Sequence, residues 1–596
     1  MKKIALSLIT LIASLAINLS CSSDDPWSDD NGSSYYDNNG NSSNGSISSS
    51  NSSSSELTSF AVTIDKTSAE PETTVDEYFP DAEDDLSANV FPTDVNITFN
   101  GSEASVDEVS GVTITKDGAH IVADHGSASG IRYIVSGSTN EGSLTIVGDK
   151  KYELDLNGVS ITNPDSAAIN LLSKKRAFIV LTDGTSNYLA DGADSKADDQ
   201  KAAFYCKGKM LFNGSGYLEV TANYDNGIQC ADYIVFRKGN NVYVNSSAAH
   251  GIKANDGIFI NGGIINVEVS ARAAKGITCE SNIIVNGGRT TAITTGNGTY
   301  DTEDQELKGA AALKADSIIT VNGGELWLKS TGAGGKGMRA GYEAYINGGN
   351  IYVITEGSKF TYGSDKVSPK GIKAGYKTTT NNKTTTYGVL NITGGTIMVR
   401  TNGTNGEGIE SKGTIDITGG TVQVAAYDDA INSTGNMTIT AGDITVVGRN
   451  SDGLDANGNM YIKGGTIVAF GASGAESGID VGEQNRLYIS GGSIFGIGGR
   501  TDASLGSTSQ GIASTTASVS ANSTVTISNS GTTLATFNMP PYSYNSGTLM
   551  VSAPGMSSGS TYTLTLGSSS QSVTASSTLS GNTGGGMGGG RTPGGW

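Results

Sequence analysis

The sequence predicts an all-β chain whose body is a right-handed parallel β-helix, a solenoid with an N-terminal β cap and a small β-rich C-terminal cap. Three observations predict it. A glycine turn recurs with a basic period of 22 to 25 residues, a Gly-Ile token keeps the same period, and the segments between them alternate apolar and polar residues. Glycine supplies 83 of the 596 residues without a Gly-X-Y period, which excludes collagen and exceeds what an ordinary globular domain carries.

The turn reads Asn261-Gly262-Gly263 and recurs at Asn286, Asn322, Asn347, Thr393, Thr418, Lys463 and Ser490. Its first glycines lie 25, 36, 25, 46, 25, 45 and 27 residues apart. The 45 contains a degenerate copy at Ala441-Gly442, and the other long intervals carry insertions. The second token runs from Gly227-Ile228-Gln229-Cys230 through Gly251-Ile252-Lys253-Ala254 and Gly371-Ile372-Lys373-Ala374 to Gly478-Ile479-Asp480-Val481. Segments such as Thr466-Ile467-Val468 have the period of half-buried strands, and the glycines supply bends. A unit of about two dozen residues with three short strands and three bends is one coil of a β-helix, whereas a propeller blade needs about 40 residues. Roughly 13 coils at about 4.8 Å each give a rod near 60 Å long. The right hand follows from the preference of parallel crossovers.

The elements follow in order. Residues 1–20 read as a signal peptide, with Lys2-Lys3 before an apolar stretch. Cys21 is the expected lipidation site, which makes the chain an exported, outer-membrane or cell-surface lipoprotein. Residues 21–56, rich in Ser and Asn, read as a disordered tether, because they lack the apolar content to order themselves. Residues 57–138 are expected to cap the solenoid and 139–516 to form it. A β-rich cap at 517–575 and a Gly-rich disordered tail at 576–596 complete the chain. The turn asparagines should stack as a structural ladder. Cys206, Cys230 and Cys279 share an inward column and are read as buried thiols.

Chemistry is expected in the columns flanking each Gly-Ile, which run along the outside. The middle coils place Lys253, Lys275, Lys314, Lys336, Arg339, Lys370 and Lys373 there, on a chain of net charge −20. Stacked like charges repel. An anionic ligand such as a uronic-acid polysaccharide relieves them, and so do the inserted acids Asp301, Glu303, Asp304 and Glu306. The later coils place Glu407, Glu410, Asp428, Asp429, Asp452, Asp455, Glu476 and Asp480 in the same columns, a hard-oxygen set suited to Ca²⁺. Three histidines and no Cys-x-x-Cys speak against zinc. No nucleophile–base constellation and no phosphate loop is present, and the acidic balance argues against nucleic acid.

Leu154-Asp155-Leu156-Asn157-Gly158-Val159, Asn213-Gly214-Ser215-Gly216-Tyr217-Leu218, Asp225-Asn226-Gly227-Ile228 and Asp452-Gly453-Leu454-Asp455-Ala456 succeed one another along the chain. In that order, over roughly residues 130 to 566, the sequence resembles a family of bacterial β-helical carbohydrate-binding proteins from cellulolytic clostridia. The resemblance implies a pectate-lyase-like β-helix, calcium binding and affinity for polygalacturonate. Lys253, Arg339 and Lys373 depart from it, standing where more acidic residues are expected. The expected function is therefore non-catalytic, calcium-assisted binding of acidic plant-wall polysaccharide by a monomer held at the outer membrane through its lipid. Two rival readings stay open: a calcium-dependent polysaccharide lyase with Arg339 as base, and a structural or adhesive surface protein.

Overall fold

Alternation explains the strands. In Glu325–Ser330, Leu326, Leu328 and Ser330 are buried while Glu325, Trp327 and Lys329 stay half-buried, as a pleated segment with one face on a core requires. The computed structural model describes residue 57 and residues 60–578, apart from 73–74, 194–199, 381–382 and 502–503. The expected signal peptide, Cys21, the tether and the end of the tail lie outside the described residues.

The chain is all-β, and its long sheets are built mainly from parallel strands, as in a β-helix-like solenoid. A fifteen-stranded sheet collects the Gly-Ile strands. Each coil adds two more strands to a second, larger sheet: Ile318–Val321 pairs in parallel with Glu343–Ile346, and Glu325–Ser330 with Asn350–Thr355. The register is what equal coil lengths demand. Ile228, Ile252, Ile277, Leu313, Met338, Ile372, Ile409, Ile431, Leu454 and Ile479 are successive partners. All ten are buried in one continuous core. The column extends backwards through Phe204, Ile169 and Leu144 to Ile121, in coils that lack the Gly-Ile token.

The turn asparagines form the expected ladder. Asn347 donates to Asn322, Asn322 to Asn286 and Asn286 to Asn261, each at 2.8 Å. The following glycine bends the chain: Gly349 has φ +82°, and a Cβ there would meet the Gly324 carbonyl oxygen at 2.8 Å. Cys206, Cys230 and Cys279 are free and buried in the core.

Residues 60–72 and 75–92 run along the flank of the solenoid as a strap. Arg176 pairs with Asp81 at 2.5 Å, Glu83 at 3.3 Å and Asp84 at 2.8 Å. Arg237 pairs with Glu77 at 2.7 Å and Asp85 at 3.3 Å. Tyr78 exchanges backbone hydrogen bonds with the Asn261 side chain, terminating the ladder. Parallel pairing then begins with Thr93–Asn100 on Ile131–Thr139, well before residue 139. The physical reason is matching charge: the strap's acids meet arginines that the solenoid presents on its flank.

At the other end, Ile512–Val519 pairs antiparallel with Tyr544–Ser552, which also pairs with the last solenoid strand, Leu487–Gly498. A four-stranded antiparallel sheet follows, made of Thr524–Asn529, Thr532–Asn538, Thr561–Leu566 and Ser569–Thr574. Val525, Phe537 and Leu564 from it share a second core with Phe470, Phe495 and Ile497 of the solenoid. No helix among the described residues is long and apolar enough to cross a membrane.

Candidate functional site

In each Gly-Ile strand the Ile and the small residue two places on face the core, leaving the residue before Gly and the residue after Ile on the other side. The register brings the predicted residues into columns. One holds Lys275, Ala311, Lys336, Lys370 and Glu407. The other holds Lys253, Thr278, Lys314, Arg339, Lys373, Glu410, Asn432, Asp455 and Asp480.

The columns are not the open surface that the sequence suggested. Lys275, Lys314, Lys336, Arg339, Lys370 and Lys373 are all buried, Lys336 to 1% exposure and Lys373 to 2%. Long side chains can lay their stems on the strand surface and bring the charged head to local acceptors. Lys275 Nζ donates to the carbonyls of Ala273 at 2.5 Å and Gly309 at 2.8 Å. Lys314 pairs with Asp316 at 2.7 Å, and the more exposed Lys253 with Glu280 at 3.0 Å. The inserted acids Asp301 and Glu306 reach Lys308 of their own hairpin at 3.0 and 3.8 Å, and Asp304 pairs with it too. His250 precedes Lys275 in its column. Burial, then the charges of Lys275 and Lys253, hold its imidazole well below the usual range. Its Nδ1 accepts the Lys275 N–H at 3.0 Å, so it is neutral.

The basic and acidic stretches join by ion pairs. Lys370 Nζ lies 2.7 Å from Glu407 and 3.4 Å from Glu410, and Lys412 lies 2.5 Å from Glu410. Burial, with Glu410 alongside, pushes Glu407 up to about 8 despite these lysines. Farther along, Asp429 accepts the Asp452 N–H at 3.0 Å, and Asp452 accepts the Ser477 N–H at 2.6 Å. Burial raises Asp452 to about 9 and Asp429 to about 6, each helped by a neighbouring carboxylate. Burial and then Asp429 and Asp452 raise Asp455 well above its usual range, and burial raises Asp428. Glu476 is half-buried beside Ser477. These carboxylates succeed one another coil by coil rather than converging. Among the described residues, no three His, Cys, Asp or Glu side chains come together in a group that could hold a metal ion.

Residues 108–274 and 241–389 match the family model described as carbohydrate-binding domain-containing protein. The two matches overlap, as a repeat allows, and together they enclose all seven basic residues and stop before Glu407. A curated relative of the same description, from Acetivibrio thermocellus, is 31% identical over 156 residues, or 25% of this chain. The aligned region spans about half of that relative, 52% of its length. A solved structure, the polysaccharide lyase-like protein from C. thermocellum as a gadolinium derivative, is 21% identical with a TM-score of 0.29. It covers 44% of this chain and 95% of its own.

Sequence reasoning missed the three hairpins inserted among the basic coils. They are Thr299–Asp301 with Glu306–Lys308, Phe360–Tyr362 with Asp365–Val367, and Tyr376–Thr380 with Lys383–Tyr387. Their signal was present in the 36- and 46-residue intervals between turns.

Proposed function

We propose that this chain is a non-catalytic carbohydrate-binding solenoid whose ligand is an acidic, polygalacturonate-like plant-wall polysaccharide. One observation carries the reading: the match to a carbohydrate-binding family encloses the coils where seven cations stack. Lys275, Lys314 and Lys370 of these columns are held by carbonyls and acids of the fold, so direct contact with an anionic chain falls to side chains outside the columns. The inserted segments carry Lys359, Lys366 and Lys383, which are half-buried or exposed. In this reading Cys21 carries a lipid, and the Ser/Asn-rich stretch behind it holds the body away from the outer membrane.

In this reading Ca²⁺ at the acidic coils, Glu407 to Asp480, assists the binding, which the chelator arm below tests. Affinity gels containing polygalacturonate or a neutral glucan test the proposal, each run with and without chelator. Polygalacturonate should retard the protein and the glucan should not, with retardation falling as salt is raised. Neutralising Lys359, Lys366 and Lys383 together to Gln should weaken it about tenfold, with circular dichroism checking the fold. Equal retardation by both gels, or none, overturns the proposal. Unsaturated uronate products would replace it with a lyase. Unchanged retardation under chelator removes calcium and leaves the rest standing.

A further inference from the structure

The three hairpins are not spread at random. The strand Lys370–Ala374 is bracketed in sequence by two of them, Phe360–Val367 before it and Tyr376–Tyr387 after it. The third, Thr299–Lys308, precedes the strand Ala311–Ala315 two coils earlier. Its Tyr300 ring stacks on Tyr362 at 4.2 Å and 9°, so the two hairpins close over the short loop of the intervening coil. At Gly334 in that loop, a Cβ would meet Phe360 and Val367 side chains within 3.1 Å. The result is one wall along three coils, the coils that hold Lys314, Lys336, Arg339, Lys370 and Lys373.

The opposite wall is also aromatic. Tyr376 and Tyr387 close the base of the second hairpin, and Tyr342 from the preceding coil meets them at 5.3 and 6.0 Å. Tyr387 also hydrogen-bonds Glu343. Tyr362 on one wall is 53% exposed and Tyr387 on the other 39%, among the few large hydrophobic side chains exposed in the described residues. Leaving such rings in water is unfavourable unless something covers them. The strand between the walls has five residues, about 16 Å at 3.3 Å each.

Resting on the carbohydrate reading above, we infer that these two tyrosine walls take the sugar rings of the ligand, while Lys359, Lys366 and Lys383, half-buried or exposed on the hairpin segments, select chains that carry a carboxylate. Aromatic faces accept the C–H face of a pyranose, and cations beside them favour uronate over neutral sugar. A single-stranded nucleic acid also combines stacking with negative charge. The family match favours the glycan, and the experiment separates the two.

Full-length protein is titrated with oligogalacturonate, a neutral cello-oligosaccharide and oligo-dT. Tyr362→Ala should lower oligogalacturonate affinity about tenfold, and the pair Tyr376→Ala and Tyr387→Ala at least as much. Tyr362→Phe should bind like the parent, because the ring rather than the hydroxyl makes the contact. Since Tyr362 is outside the core, its thermal midpoint should not move. If the Ala variants bind like the parent while the Lys359, Lys366 and Lys383 neutralisations lose binding, the walls are wrong and the carbohydrate reading survives. If the parent binds no uronate, both fall. Tighter, tyrosine-dependent binding of oligo-dT overturns the glycan assignment.

Discussion

Asp452 shows what a column does to one residue. Its carboxyl accepts a backbone N–H yet is pushed up to about 9, because burial and Asp429 outweigh that hydrogen bond. An unfolded aspartate titrates near 4, so the folded state holds a proton that the unfolded state releases between those values. Stability therefore falls as pH rises through this window, by at most roughly 1.4 kcal/mol per unit for a single group. Asp452→Asn keeps the oxygen that accepts from Ser477 and removes the ionisation. Its thermal midpoint should exceed the parent's at pH 8, and the gap should close towards pH 5. Parallel midpoints across that range would show that Asp452 ionises freely in the fold.

Elements differ in how much of them the sequence reveals. The Gly-Ile strands are legible because a large apolar residue recurs from Ile228 to Ile479 behind the same small-residue token at a basic period of 22 to 25, insertions apart, and a recurring period puts like over like. Leu144, Ile169 and Phe204 lie within the expected solenoid although no glycine precedes them, whereas Ile121, in the same column, lies before residue 139 and carries no token that marks it. The strap is invisible for a different reason: it has no period, and Tyr78 meets Asn261 across 183 residues of sequence. The identity of the basic column could be read, but its burial could not. Register is encoded in spacing, whereas burial also depends on non-repeating neighbours such as the inserted hairpins. The strap also yields a prediction. Asp84 has its side chain fully buried, held by Arg176 at 2.8 Å and by the Tyr233 hydroxyl at 2.7 Å. Arg176→Ala leaves that carboxylate without its cation, a change that costs about 3 kcal/mol or more where the element stays docked. The cheaper response is for the strap to lift, so hydrogen exchange over 81–88 should quicken while the Ile column stays protected. Adding Asp84→Asn should restore part of the protection, since an amide needs no guanidinium. Exchange in the strap that matches the parent's would show that these ion pairs do not hold it.

At the scale of the whole molecule, a solenoid has to end, and its ends decide whether it stays soluble. The C-terminal strands solve two problems at once. Tyr544–Ser552 pairs with the last solenoid strand along Ile494 to Gly498, which occupies an otherwise open edge. The four-stranded sheet places Val525, Phe537 and Leu564 on Phe470, Phe495 and Ile497, rings and side chains that point away from the main core. Removing everything after Gly511 uncovers both the edge and that apolar patch. The solenoid should keep its strands, because its main core is contiguous from Val95 to Ile489 without the C-terminal module. It should also bind a hydrophobic dye and self-associate, with far-ultraviolet circular dichroism close to the parent's after scaling for length. Phe470→Ser and Phe495→Ser in the truncated chain should reduce dye binding and leave edge-to-edge association in place, since strand pairing uses the backbone. A truncated chain that stays monomeric and binds no dye would mean that the solenoid closes its own end, with the C-terminal strands merely resting on it.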